Sequence, residues 1–359
     1  MKIAVIPPRT NTGEAEYSNY LITGMLKKDL KPKIVQNSFY NRPNVKIFLG
    51  SLLLKKMIKG KYIIHNLDNL GPYIIKNNTS SKLVLTIHDI VPIIMPEIHG
   101  NNLNNKIMRL NFKFLLPRII KNTDLIIVPS RSTKNDIITK LKVEEDKIEI
   151  VPMGVDKEIF YPKAVDYKLL ENYGIKKDYI LYVGNDNPRK NLKNLILAYA
   201  KIIDKIGHKL VLMGPINKAE LIKTIKTCKE LEFNKKKLLN NIIFPGFVDK
   251  ADVPMVYNAA TALVFPSLYE GFGLTPLEAM ASSVPVIISN NSSLREVVGD
   301  AGLYINNPLD PDEIADKIIE VIKNEKLQKK LRKNGLKQSL KFDWEKTVHK
   351  TIKAYENII

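Results

Sequence analysis

The chain has 359 residues, enough for two domains with separate cores, a formal net charge of +19 and 45% hydrophobic residues. A single cysteine, Cys228, excludes an intramolecular disulfide, and its place in a Lys-rich stretch argues against redox or zinc chemistry. No apolar run reaches membrane-span length and Met1-Lys-Ile-Ala-Val-Ile6 reads as a strand rather than a secretion signal, so a cytoplasmic location is expected.

Short β-branched runs alternate with helical patterns along the chain. In the first half they are Lys2–Ile6, Lys46–Leu49, Tyr62–Ile64, Lys82–Thr86, Asp124–Val128 and Lys147–Val151. In the second they are Tyr179–Val183, Lys209–Met213, Asn241–Phe244, Ala262–Phe265 and Val284–Ile288. Strands spaced by helices predict parallel sheets with helices on both faces. The segment Asp156–Gly174, rich in Pro, Tyr and charge, is the natural linker between residues 1–160 and 175–340. A last helical pattern spans about 342–359 and carries the only tryptophan, Trp344, an anchor that some surface must bury.

The most informative stretch is Glu270-Gly-Phe-Gly-Leu-Thr-Pro-Leu-Glu278, after the apolar run Ala262–Pro266. Gly271 and Gly273 turn the chain, and a helix is expected to start with Thr275 as N-cap and Pro276 in its first turn. Unpaired N–H groups and the helix dipole then converge on one point, an anion site with a carboxylate at each end. Such a site suits a nucleotide-sugar. Glu278 has two readings: a ribose acceptor, or a capping-box partner of Thr275.

The spacing resembles the E-x7-E motif of retaining GT-B glycosyltransferases, in particular glycosyltransferase family 4 (group 1). The resemblance implies two doubly wound, Rossmann-like domains facing a cleft, an acceptor domain at 1–160 completed by the returning helix at about 342–359, and a donor domain at 175–340. It assigns the donor sugar to Glu270 and the ribose to Glu278, with Gly271, Phe272, Gly273, Leu274 and Thr275 around the donor. Further segments carry the same likeness. Thr12-Gly13 stands at the family's glycine-rich turn, which normally has two adjacent glycines, so Gly13 alone would meet a donor phosphate.

Thr86-Ile-His88-Asp89-Ile-Val-Pro92 matches the family's T-x-H-D-x-x-P segment. A neutral His88 could donate to a sugar hydroxyl or leaving group, with Asp89 either orienting it or capping the next turn. Ser130 reads as an N-cap, and the Gly154-Val-Asp156 segment as a turn in which Gly154 approaches the cleft and Asp156 caps or hinges. Gly184-Asn-Asp-Asn-Pro-Arg189-Lys190-Asn191 is the cationic half of the site. Arg can bond a diphosphate bidentately and Lys acts as a point charge. Many family members have Arg directly after the glycine; Asn185 stands there instead, and Arg189 is the candidate replacement. Ser293-x-x-Glu296 reads as another capping box.

The P-R-K-N form resembles bacterial surface-polysaccharide mannosyltransferases, which makes GDP-mannose the first donor to test and a glycan or lipid-linked hydroxyl the expected acceptor. His88, Arg189, Lys190 and Glu270 are the catalytic candidates. No D-x-D cluster occurs, so no metal and no cofactor beyond the nucleotide-sugar is expected. A nucleotide-sugar epimerase on the same fold is the nearest alternative. A dinucleotide oxidoreductase would need a G-x-G-x-x-G turn that Pro7–Gly13 lacks. Nucleic acid is not expected as a partner, because the basic residues show neither aromatic interleaving nor a binding module.

The positive charge is concentrated in the first 150 residues. It reflects either a Lys-rich composition or an anionic membrane surface. For the second, Lys55, Lys56, Lys59 and Lys61 flank Leu52–Leu54, while Lys106, Arg109, Lys113 and Arg118 interleave with Ile107, Leu110, Phe112 and Phe114.

Overall fold

The computed structural model describes residues 1–8, 13–35, 58, 60–69, 81–99, 103–228, 231 and 235–359. Two compact units emerge: Met1–Gly154 together with Asp343–Ile359, and Val155–Phe342. Among the described residues each holds a six-stranded, wholly parallel sheet.

The first unit runs β1 (Ile3–Ile6), α1 (Gly13–Lys27), β2 (Lys33–Ile34), β3 (Ile63–Asn66), β4 (Lys82–Thr86), α2 (Val91–Ile94), α3 (Leu103–Phe114), α4 (Leu116–Asn122), β5 (Leu125–Val128), α5 (Arg131–Leu141) and β6 (Ile148–Ile150). Its strand order is β2-β1-β3-β4-β5-β6. Ile3–Ile6 and Leu125–Val128 are buried at every residue, as expected of parallel strands covered on both faces. The run at Lys46–Leu49 lies outside the described residues. The edge strand β2 has no apolar run to announce it; both of its residues are exposed.

The C-terminal helix, Trp344–Glu356, packs on α1 within this unit. Trp344 stacks on Tyr20, ring centroids 4.6 Å apart, and Tyr355 OH lies 2.5 Å from His65 Nδ1 on β3. A Cβ on Gly154 would sit 2.2 Å from the Trp344 nitrogen. Gly154 therefore serves the docking of this helix.

The second unit runs α6 (Tyr167–Glu171), β7 (Tyr179–Val183), α7 (Leu192–Ile206), β8 (Lys209–Met213), α8 (Lys218–Thr227), α9 (Lys235–Asn241), β9 (Ile242–Ile243), α10 (Val253–Asn258), β10 (Ala262–Phe265), α11 (Leu274–Ala281), β11 (Val286–Ser289), α12 (Leu294–Val298), β12 (Gly302–Ile305), α13 (Pro311–Lys323) and α14 (Glu325–Ser339). Its order is β12-β11-β10-β7-β8-β9. The segment expected as a linker is folded into this unit: the Lys163 N–H donates to Asn258 Oδ1 at 2.8 Å, and Tyr173 OH to Asp252 at 2.6 Å.

In both sheets the order reverses beside the first strand of the unit, between β1 and β3 and between β7 and β10. Successive crossovers leave to opposite sides there, so the loops at the carboxyl ends part and open a crevice, the usual ligand position in open α/β sheets. Every motif singled out above with a chemical role follows a strand at such an end.

Candidate active site

The loop after β7 carries the two cations, and the loop after β10 carries the carboxylate that meets them. Gly184 closes β7, and its N–H donates to the Met213 carbonyl at 3.0 Å. Gly214, at φ +128°, lets the β8 loop approach so closely that an added Cβ would lie 2.2 Å from the Gly184 oxygen. Two side chains shape the rest of this turn. Asn187 Oδ1 accepts the Arg189 N–H at 3.0 Å. Asn191, at φ +58°, donates to the Pro266 carbonyl at 3.0 Å and ties the two loops together.

Arg189 and Lys190 then converge on Glu270. Arg189 Nη1 lies 2.7 Å from Glu270 Oε2 and also donates to the Tyr269 carbonyl at 2.6 Å. Lys190 Nζ lies 2.8 Å from Oε1, 4.8 Å from the centre of the Phe265 ring. Ser267 Oγ is 2.5 Å from the same Oε1. Glu270 is 8% exposed. Burial pushes its carboxyl up, but Lys190 and then Arg189 outweigh that and hold it at about 2. The group is a compact, ionised triad with one net positive charge.

The glycine turn continues into α11, whose N-cap is Gly273 at φ +118°. This corrects the sequence reading: Thr275 lies inside the first turn and is not the N-cap. The Thr275–Glu278 capping box is accordingly absent, and Glu278 Oε2 accepts from Tyr257 OH at 2.8 Å. The reading of Ser293–Glu296 as a capping box is corrected too. Ser293 Oγ makes no cap bond and instead reaches the Glu270 and Phe272 carbonyls at 2.8 and 2.7 Å, pinning the turn from outside. Ser292 Oγ accepts the Glu270 N–H at 3.0 Å.

Gly184, Arg189, Lys190, Glu270, Gly271, Phe272, Gly273, Leu274, Thr275 and Glu278 all lie in the second unit, whereas Gly13 and His88 lie in the first. Gly13 opens α1. His88 follows β4, 6% exposed, with the Leu67 carbonyl beside its ring. Burial lowers its imidazole to about 4, with the Leu67 carbonyl opposing, so the ring is neutral. Asp89 caps: its Oδ1 accepts the Val91 N–H at 3.1 Å. Ser130 is the N-cap of α5 and Asp156 turns the chain through the Glu158 N–H, both as expected. Sequence reasoning missed Ser267, Ser292 and Tyr257. Only Ser267, at the end of the apolar run, stood where a strand-end signal could have marked it.

Among the described residues no group of three or more His, Cys, Asp or Glu side chains could hold a metal ion. What the site offers is cationic charge and backbone N–H groups at a helix start, the means of holding and stabilising an anionic leaving group.

Two doubly wound units, with paired cations and a glycine turn at a switch point, are the arrangement expected of a GT-B glycosyltransferase. Residues 170–338 match the family described as Glycosyl transferases group 1, and residues 22–159 match Glycosyltransferase Family 4. The chain belongs to this family. It is 31% identical to O-antigen chain mannosyltransferase B of Escherichia coli over 82% of its own length and 74% of that protein. It is 28% identical to the serotype-specific mannosyltransferase WbdA of Escherichia coli, over 79% of its length but only 34% of the relative's, so it spans about a third of that protein. Its fold matches sucrose-phosphate synthase from Thermosynechococcus elongatus with a TM-score of 0.78 at 21% identity, covering 99% of this chain and 98% of that one.

Proposed function

We propose that the enzyme moves a hexosyl group, mannosyl being the first choice, from a nucleoside-diphosphate sugar to a glycan or lipid-linked hydroxyl with retention of anomeric configuration. The observation that carries this reading is the convergence of Arg189 and Lys190 on buried Glu270 beside the α11 turn. A diphosphate leaving group gains charge as the glycosyl bond breaks, and two cations fixed beforehand stabilise that charge without reorganising. Glu270 keeps both in place and presents an ionised carboxylate to a sugar hydroxyl. Glu278 serves the ribose, and neutral His88 donates to the sugar or leaving oxygen. In the preferred step the acceptor attacks on the face the leaving group vacates, and the departing phosphate oxygen takes the acceptor proton.

The identity to an O-antigen mannosyltransferase supports mannose as the sugar, and GDP-mannose is the donor to test first. A glycan or lipid-linked acceptor fits a cytoplasmic enzyme working at the inner face of the membrane. No helix among the described residues is long and apolar enough to cross a bilayer. Leu110 and Phe114 on α3 are about half exposed beside Lys106 and Lys113, a surface suited to anionic headgroups.

The test is a melting screen against UDP, GDP and ADP, followed by NMR assay of the matching sugar nucleotides. A stabilising nucleotide and an α-product from an α-donor are expected. An inverted product would refute retention, and isomerised sugar without released nucleoside diphosphate would favour an epimerase.

A further inference from the structure

Helices α13 and α14 pack on each other in the second unit, yet their charges are unlike. α13 holds four acids against two lysines, and its Lys317 and Glu320 pair at 3.1 Å. α14 holds five lysines and one arginine against a single acid, Glu325. Lys326, Lys330, Lys333 and Lys337 are spaced by four, three and four residues, which on a helix puts them in one file. All four are exposed, and none makes an ion pair among the described residues. Lys341 continues the spacing just past the helix end, and Leu340 beside it is 61% exposed. The opposite face is held firmly. Leu331, Gly335 and Ser339 are buried, and a Cβ on Gly335 would lie 3.2 Å from Met280 Cγ of α11. Arg332 Nη1 donates to the Ser283 carbonyl at 2.7 Å and Gln338 Nε2 to the Val297 carbonyl at 2.8 Å.

We propose that the lysine file of α14 is a docking surface for an anionic lipid bilayer. It lies on the second unit, apart from the α3 surface of the first, and stands or falls without the transfer reaction. A Lys-rich composition would scatter its charge; here four unpaired lysines share one face while the neighbouring helix is acidic. Like charges at this spacing repel one another and weaken the helix, a cost that a facing anionic surface reverses. The chemistry favours a charged plane over a single phosphate. Lysines are point charges without the planar fork that reads a phosphate bidentately, and here they form a straight row about 16 Å long. α14 has no aromatic side chain on which a base could stack, which disfavours nucleic acid. Leu340 adds an exposed apolar group among the lysines, the pairing that suits a headgroup layer.

The experiment is co-sedimentation of the full chain with vesicles of phosphatidylglycerol and phosphatidylcholine, set against pure phosphatidylcholine, at low and high salt. One variant combines Lys326→Gln, Lys330→Gln, Lys333→Gln and Lys337→Gln, which keeps good helix formers in place. A control combines Lys31→Gln, Lys140→Gln, Lys176→Gln and Lys205→Gln, removing the same charge from scattered exposed positions. Each lysine near an anionic surface is worth about fivefold in partitioning, so the α14 variant should bind anionic vesicles more than about tenfold more weakly and the control far less so. Melting curves should match wild type in both. Wild-type binding by the α14 variant, or an equal loss in the control, would overturn the proposal. So would tighter binding of a single-stranded oligonucleotide than of vesicles, lost in the same variant, which would assign the file to nucleic acid. Lys106→Gln with Lys113→Gln tests the α3 surface apart from this one, and nucleotide effects on melting report the donor site separately from both.

Discussion

Lys190 and Arg189 take different oxygens of one carboxylate, so Lys190→Ala leaves Glu270 paired and costs little folding stability. Turnover is another matter: losing a group that stabilises developing charge commonly costs about 3–4 kcal/mol in the transition state. We expect a rate loss of that size with a melting temperature close to wild type; unchanged turnover would remove Lys190 from the site. Glu278→Gln keeps an oxygen for Tyr257 but removes the charge. If the ribose reading holds, nucleotide affinity falls by roughly 1.5–3 kcal/mol in a calorimetric titration. Glu270 gives a pH signature. Its carboxyl is held at about 2 against an ordinary 4.5, so the triad's stabilisation is complete above about pH 4.5 and is lost as pH falls toward 2. The stability gap between wild type and Glu270→Gln should narrow between pH 6 and pH 3 in denaturant melts. A constant gap would mean the carboxylate is not held by its cations.

At the scale of elements, the close approach at Gly154 makes a sharp prediction. Gly154→Ala drives a Cβ into the Trp344 backbone, where no flexible side chain can give way. The C-terminal helix must shift, at a cost of about 1–3 kcal/mol, read as a lowered melting temperature; wild-type stability would deny the contact. The same contact shows where sequence reading ends. Strands β4, β7, β8 and β10 were legible to the residue because buried parallel strands are continuous apolar runs. Strands β2 and β12 were not: β2 has two residues, both exposed, and β12 opens on a glycine and is only partly buried. Glu270, Arg189 and Lys190 were legible singly, from strand ends and glycines. The resemblance put them in one site, but their direct pairing was not legible, because it depends on β10 crossing to lie beside β7. Caps misled for a related reason. Ser293 and Glu278 satisfy the local pattern, yet tertiary partners, the glycine-turn carbonyls and Tyr257 of α10, claim the two side chains.

For the molecule as a whole, the charge of +19 and the exposed Leu110 and Phe114 lead to a testable surface property. The structure narrows the expected patch: Phe112 is buried in the core under α3, and Lys55, Lys56, Lys59 and Leu52–Leu54 lie outside the described residues. We expect salt-sensitive co-sedimentation with anionic vesicles, each basic residue near the surface contributing about 1 kcal/mol. Absence of pelleting at low ionic strength would defeat the membrane reading and leave the transferase reading untouched. Finally, the first unit is written in two pieces, with the second unit lying between Gly154 and Asp343 in the chain. On a ribosome this imposes an order of maturation. The second unit can close as soon as Phe342 has emerged, while α1 waits for the last seventeen residues, Asp343–Ile359, to cover Tyr17 and Tyr20. A chain released before that point would carry a finished second unit and an uncovered first one, a natural substrate for chaperones.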